Sequence, residues 1–129
     1  MDKREAEDLL DFVAMATVCD VMSLTGENRI LVKEGLKRIR HTKNIGLQAL
    51  MQACNVQPEN ISAYHFGYVL GPCVNATGRL DTARHALRLF ETGQETEAEE
   101  IARDLVDLNQ ERKELTLQGV EMAKKLCEE

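Results

Sequence analysis

The sequence predicts an all-α fold: about five helices in a small helical bundle, with a long linker helix at the C-terminal end. Three observations predict it. Apolar residues recur at spacings of three and four along most of the 129 residues, as they do on one face of a helix. No run alternates β-branched apolar residues with polar ones, and only two prolines interrupt the chain. Hydrophobic residues make up 43% but aromatics only 4%, with no Trp, so the core must be aliphatic. A chain of this length suits one domain that buries roughly two-thirds of its unfolded surface.

The first helix is expected from about Lys3 to Asp20, with Leu9, Leu10, Val13, Ala14, Ala16, Thr17 and Val18 on a broad apolar face. Its end, FVAMATVCDVM, is dense in small and apolar residues and reads as buried. Thr25 is the expected N-cap of a second helix, about Gly26–Arg40, with Glu27 in its first turn. There Ile30, Leu31, Leu36 and Ile39 are expected inward, while Arg29, Lys33 and Lys37 stack at i, i+4 spacing. A short third helix, about Ile45–Cys54, carries Leu47, Leu50 and Met51. Residues 55–60 form a loop, Asn60 or Ser62 caps a fourth helix at Ala63–Leu70, and Gly71-Pro72 is expected to stop it.

After a turn at 71–80, Asp81 is the expected N-cap of a helix containing Ala83, Ala86, Leu87 and Phe90. Thr92 to Glu95 reads as a capping box opening the last helix. That helix runs toward Cys127, roughly 30 residues and about 50 Å long. Its apolar seam, from Ile101 through Leu105 and Leu115 to Leu126, is interrupted by Arg112 and Gly119. The interruptions favour a helix leaning on a neighbouring domain over a clean coiled coil.

The net charge of −6 is unevenly spread. From Glu91 onward there are 12 acidic and 5 basic residues, whereas residues 1–90 hold 10 acidic and 11 basic. Overall acidity argues against a protein that coats nucleic acid, yet leaves room for a local phosphate contact. Six Lys or Arg residues between Arg29 and Lys43 face Glu34 alone. That run is either a solvated helix face or a phosphate-facing rim. Four cysteines (Cys19, Cys54, Cys73, Cys127) lie far apart with no CxxC pair and no signal peptide ahead of them, which reads as reduced thiols in a cytoplasmic protein. No apolar run approaches the roughly 20 residues of a membrane-spanning helix.

Few residues carry chemistry. Asp20 closes the apolar run AMATVC, so its carboxylate sits where a helix leaves a packed core. It is either a cap or ion-pair partner, or a hard oxygen ligand for Mg²⁺ or Mn²⁺ whose co-ligands come from outside the chain. His41, His65 and His85 are scattered without metal-ligand spacing. No GxSxG, glycine-rich phosphate loop or paired Cys and His assembles a nucleophilic site. The stretch GPCVNATGRL (71–80) is the most informative. Gly78 allows close backbone approach, Asn75 offers an amide, and Arg79 lies just ahead of a helix start, where phosphate is attracted. The plain alternative is a structural turn with Arg79 paired to an acid.

Three segments in order, ATVCDVMSLTGENR (16–29), GPCVNATGRLDTA (71–83) and DLNQERKEL (107–115), resemble the middle of the RecJ-type exonucleases of the DHH phosphoesterase family. The resemblance covers nearly the whole chain. It implies a metal-dependent hydrolase that degrades single-stranded DNA from the 5′ end in recombination and repair, with Mn²⁺ or Mg²⁺ held by aspartates and histidines of several motifs. By position Asp20 is implied as the last metal-binding, catalytic aspartate. Asn75, Gly78 and Arg79 match the NAxGR motif beside the DNA backbone; Arg29, Lys33 and Lys37 are weaker phosphate candidates. Residues 1–24 are then the end of a DHH-type catalytic lobe, 25–92 a helical connector and 93–129 the linker helix. The implied partners are single-stranded DNA, through the full-length enzyme, and the remaining catalytic lobes of the same protein. The chain departs from the family in having no DxD, no Asp-His-His and no C-terminal glycine-rich HxxA-type motif, and in having Cys73 where Arg is frequent. The expected fragment is inactive alone, because Asp20 by itself cannot build a two-metal centre. The rivals are a free-standing helical interaction module and a DHH phosphodiesterase for short oligonucleotides or cyclic dinucleotides.

Overall fold

A computed structural model of the chain describes residues 9–76 and 80–128, and of residues 80–82 only the backbone. Among them every regular element is helical: α1 (Leu10–Cys19), α2 (Gly26–Ile39), α3 (Ile45–Ala53), α4 (Ala63–His65), α5 (Gly71–Val74), α6 (Leu80–Glu91) and α7 (Glu95–Glu128), with a 3-10 turn at Pro58–Asn60 and a π-helical turn at Phe66–Leu70. The expected start of α1 at Lys3 lies outside the described residues.

Helices α1 and α2 form a hairpin with a very close crossing. A Cβ on Gly35 would lie 2.2 Å from the Ala14 Cβ and 2.7 Å from the Leu10 carbonyl oxygen. Only the missing side chain lets the two backbones meet there. Helix α3 is the centre of the molecule, with Leu47 and Leu50 fully enclosed and Met51 nearly so. It packs on the first half of α7 through Ala98, Ile101, Ala102 and Leu105, all buried. Asn44 caps α3: its Oδ1 accepts from Leu47 N–H at 3.0 Å while its Nδ2 donates to the Phe90 carbonyl at 3.0 Å, tying α3 to the end of α6. Arg88 grips Glu97 with two guanidinium nitrogens and so joins α6 to α7.

Several expectations need correction. Gly71-Pro72 does not stop the fourth helix. α4, the π turn and α5 run on end to end as far as Val74. The π turn sends the Gly71 N–H to the Phe66 carbonyl, and Pro72 then falls in the first turn of α5, where a missing N–H costs little. Thr92 is not the N-cap of the last helix, which begins at Glu95; its Oγ1 accepts from Gln94 N–H at 3.2 Å and shapes the turn before it. Thr25 does precede α2 in extended conformation, but its side chain makes no capping bond. Ile30 points outward at 62% exposure and Val32 takes the inward position, because α2 turns its Val32–Gly35–Ile39 stripe to α1 and the core. Helix α6 starts at Leu80, so Asp81 lies inside its first turn.

The end of the first helix is also not buried within this chain. Ala14 and Met15 are, but Val13, Ala16, Val21 and Met22 face outward. The helix is apolar on all sides, and the described residues cover only one of them. Helix α7 behaves similarly. After Asn109 every described residue is exposed, including Leu115, Leu117, Val120, Met122 and Leu126. No described helix is long and apolar enough to cross a membrane.

Candidate functional site

Helix α1 ends in a Schellman motif: Met22 N–H donates to the Thr17 carbonyl at 3.2 Å and Val21 N–H to that of Val18 at 3.0 Å. Asp20 is its C-cap and Val21 takes the left-handed position at φ 56°. Helix α3 ends the same way through Asn55, at φ 57°, with Val56 N–H on the Met51 carbonyl. Asn is at ease in that conformation, whereas a β-branched residue is strained. The strained backbone therefore sits immediately beside Asp20, as strain does at sites where geometry matters more than stability. Val21→Gly is expected to raise stability by about 1 kcal/mol or less, relief of strain being partly offset by chain entropy. The urea midpoint of the purified chain checks it.

The Asp20 carboxylate is exposed, and the residue before it lines a cleft of about 270 Å³ together with Gly67, Gly71, Pro72, Asn75 and Arg112. The Cys19 thiol donates to the Phe66 carbonyl at 3.3 Å. A Cβ on Gly71 would lie 2.5 Å from the Cys19 sulfur and 2.6 Å from the Phe66 oxygen. The Gly-Pro pair thus serves a close contact between the end of α1 and the start of α5. Burial, and then the neighbouring Asp20 charge, push the Cys19 thiol above its ordinary pKa, so it stays a neutral donor. Asn75, the exposed C-cap of α5, opens into the cleft on one side and Arg112 of α7 on the other. Buried Asn109, one turn before Arg112, accepts from its Nη2 at 3.2 Å and its Nε at 3.4 Å, which fixes the guanidinium against the cleft.

The fold therefore brings Cys19, the residue before Asp20, and Asn75, 56 positions apart in the chain, to one cleft. Thr77, Gly78 and Arg79 lie outside the described residues, so the NATGR turn is represented here by Asn75 and buried Ala76. Arg29, Lys33 and Lys37 are exposed on α2. Lys37 pairs with Glu34 at 3.2 Å and lines a separate, larger depression of about 750 Å³ with Arg38, His41 and Lys43; Arg29 and Lys33 line neither. Sequence reading missed Arg112, taking it for a break in an apolar seam. It also missed Tyr64 and Tyr68, exposed and stacked on each other with ring centres 5.2 Å apart. Their i, i+4 spacing on one helical stretch was the available signal.

A guanidinium and an amide sharing a cleft suit the oxygens of a phosphate, since Arg offers paired donors in a fixed plane. The exposed tyrosine rings present flat faces of the kind on which unpaired bases stack. A metal site is another matter. Among the described residues no group of three or more His, Cys, Asp or Glu is placed to hold a metal ion. Asp20 offers one carboxylate, and by themselves these residues do not fit a metal centre.

No protein-family model matches the chain. Known proteins do. It is 43% identical over 123 residues to the single-stranded-DNA-specific exonuclease RecJ of Salmonella typhimurium and 42% to that of Escherichia coli, each match covering 94% of this chain and 21% of the relative. The Bacillus subtilis RecJ is 32% identical over 95% of this chain and 16% of its own length. Among solved structures, RecJ of Thermus thermophilus in complex with Mg²⁺ superposes with a TM-score of 0.78 at 36% identity, over 92% of this chain and 18% of that one. An exonuclease RecJ bound to manganese gives 0.79 at 35%, over 95% and 30%. Sequence and backbone agree over more than nine-tenths of the chain, and the chain belongs to the RecJ family as a segment spanning about a fifth of the length of the curated relatives it matches.

Proposed function

We propose that this chain works as part of a metal-dependent exonuclease that degrades single-stranded DNA from its 5′ end in recombination and repair, in the cytoplasm. The observation that carries the reading is the cleft shared by Cys19, Asn75 and Arg112, with Asp20 the next residue in the chain after Cys19. Asp20 supplies one carboxylate to a Mn²⁺ or Mg²⁺ centre whose other ligands lie outside this chain. Asn75 and Arg112 hold backbone phosphates, joined by Gly78 and Arg79 of the same turn; Arg29, Lys33 and Lys37 form an outer basic rim. Residues 1–24 close a catalytic lobe, 25–92 connect, and 93–129 span to a further domain. The apolar residues left exposed at the end of α1 and beyond Asn109 of α7 support this division, since the remaining lobes of the same protein would cover them.

The test is nucleotide release from a 5′-labelled single-stranded oligonucleotide by the full-length protein containing this segment, with and without Mn²⁺. Arg112→Ala is expected to weaken strand binding several-fold at physiological salt and to lower the slope of log K against log salt by about one unit. An unchanged slope would remove Arg112 from the phosphate path. No Mn²⁺-dependent release by the unaltered protein would sink the reading as a whole.

A further inference from the structure

The thiols of Cys54 and Cys73 lie in different elements, 19 positions apart in the chain, with their sulfurs 3.8 Å apart and sharing a hydrogen bond. We infer that Cys54 and Cys73 are a redox-active dithiol, which a hydroperoxide oxidises to an intramolecular disulfide fastening the end of α3 to α5. The proposal stands on the geometry of this chain and does not depend on the nuclease reading.

The two sulfurs have distinct roles. Cys54 is the C-cap of α3, half-buried, where the helical ladder ends and Asn55 turns the chain away. Cys73 sits in the four-residue α5. Closing to a bond of about 2.05 Å therefore bends a helix terminus and a single turn, and breaks no long helix. Either sulfur can donate in the hydrogen bond the two share; with Cys54 donating, it favours negative charge on Cys73, and Lys113, Asn109 and Arg112 of α7 add to this against the effect of burial and bring the Cys73 thiol down to about 7. The same hydrogen bond, burial and the Cys73 charge push Cys54 up. Cys73 is thus the attacking thiolate and Cys54 the resolving thiol.

The step balances. The Cys73 thiolate attacks one oxygen of hydrogen peroxide, the O–O bond breaks, and the departing hydroxide is protonated to water, leaving a sulfenic acid. Cys54 loses its proton and attacks that sulfur, the S–O bond breaks, and a second water leaves. Two thiols and one peroxide give one disulfide and two waters. Cys73 is buried, so the oxidant must be as small as hydrogen peroxide and enter past half-buried Cys54. Because α5 leads straight into Asn75, the bond would also fix one wall of the cleft.

The experiment uses the 129-residue chain carrying Cys19→Ser and Cys127→Ser, which leaves only the pair. A serine at 19 keeps a donor for the Phe66 carbonyl, and Cys127 is exposed on the free end of α7. After brief exposure to dilute hydrogen peroxide and unfolding in denaturant, both thiols should be lost together. The mass should fall by two hydrogens, the chain should remain monomeric without reductant, and dithiothreitol should restore both thiols. Peptide mapping of the unaltered chain treated alike should recover a Cys54–Cys73 cross-linked peptide, which guards against a folding defect in the variant. Persistence of both thiols, a mass gained in oxygens, or a disulfide between two chains would each overturn the proposal.

Discussion

Gly46→Ala is expected to destabilise the chain by about 2–4 kcal/mol, although helix propensity alone favours alanine over glycine by up to about 1 kcal/mol. A Cβ at position 46 would lie 2.0 Å from the Leu89 carbonyl oxygen and 2.7 Å from its carbonyl carbon. Both are backbone atoms, so no rotamer change relieves the clash. Helix α6 would have to retreat by about an ångström, a shift that close-packed interiors transmit instead of absorbing. The retreat would loosen fully buried Leu89, the Asn44 to Phe90 hydrogen bond and the edge-to-face contact of Phe12 with Phe90, whose ring centres are 5.0 Å apart. Gly119 supplies the control: no atom of the described residues lies within 4 Å of its added Cβ, and it is exposed in mid-helix. Gly119→Ala should therefore follow propensity and stabilise by at most about 1 kcal/mol. Urea unfolding followed by far-ultraviolet circular dichroism measures both, and equal signs would show that the α3–α6 approach is not as tight as described.

What the sequence made legible was periodicity and local chemistry. Leu47, Leu50 and Met51 repeat at helical spacing and are buried, and Ser62 caps α4 through a capping box with His65. The length of α7 also followed from its pattern, since it runs 34 residues without a break. What stayed hidden depends on partners distant in the chain. Pro72 reads as a stop because it lacks an N–H, yet a π turn just before it reroutes the hydrogen bonds and lets the helix continue. Ile30 and Val32 are equally apolar, and only the Gly35–Ala14 crossing decides which faces inward. Arg112 looks like a flaw in an apolar seam until Asn109 and the cleft are seen beside it. The Cys54–Cys73 pair leaves no signature at all, because a separation of 19 residues has no periodic meaning.

The same reasoning separates stability from function along one face. Gly71 and Cys19 lock the end of α1 against the start of α5. That contact holds the chain segments bearing Asp20 and Asn75 together before any ligand arrives. Preorganisation of this kind is what a phosphate-handling cleft needs, because groups already in place lose little freedom on binding. Val21 in a left-handed conformation fits the same picture: the turn after Asp20 is kept at a cost in stability.

Asp20→Asn in the full-length protein is expected to lower nucleotide release from single-stranded DNA by about two to four orders of magnitude, the effect of removing several kcal/mol of charge stabilisation from a hydrolytic centre. The substitution keeps size and shape and removes one negative charge. In this chain the exposed side chain of Asp20 carries no described hydrogen bond, and the bonds that end α1 are backbone ones from residues 20–22. Stability of the 129-residue chain should therefore change by no more than about 0.5 kcal/mol, as for other surface positions. The Arg112-dependent salt slope of strand binding should likewise persist, since the guanidinium is held by Asn109 and not by Asp20. Mn²⁺ affinity, read by isothermal titration on the full-length protein, should fall along with activity. A large loss of activity with unchanged Mn²⁺ affinity would assign Asp20 to another task, such as orienting the attacked phosphate. A large loss of stability in the isolated chain would make it a structural cap after all.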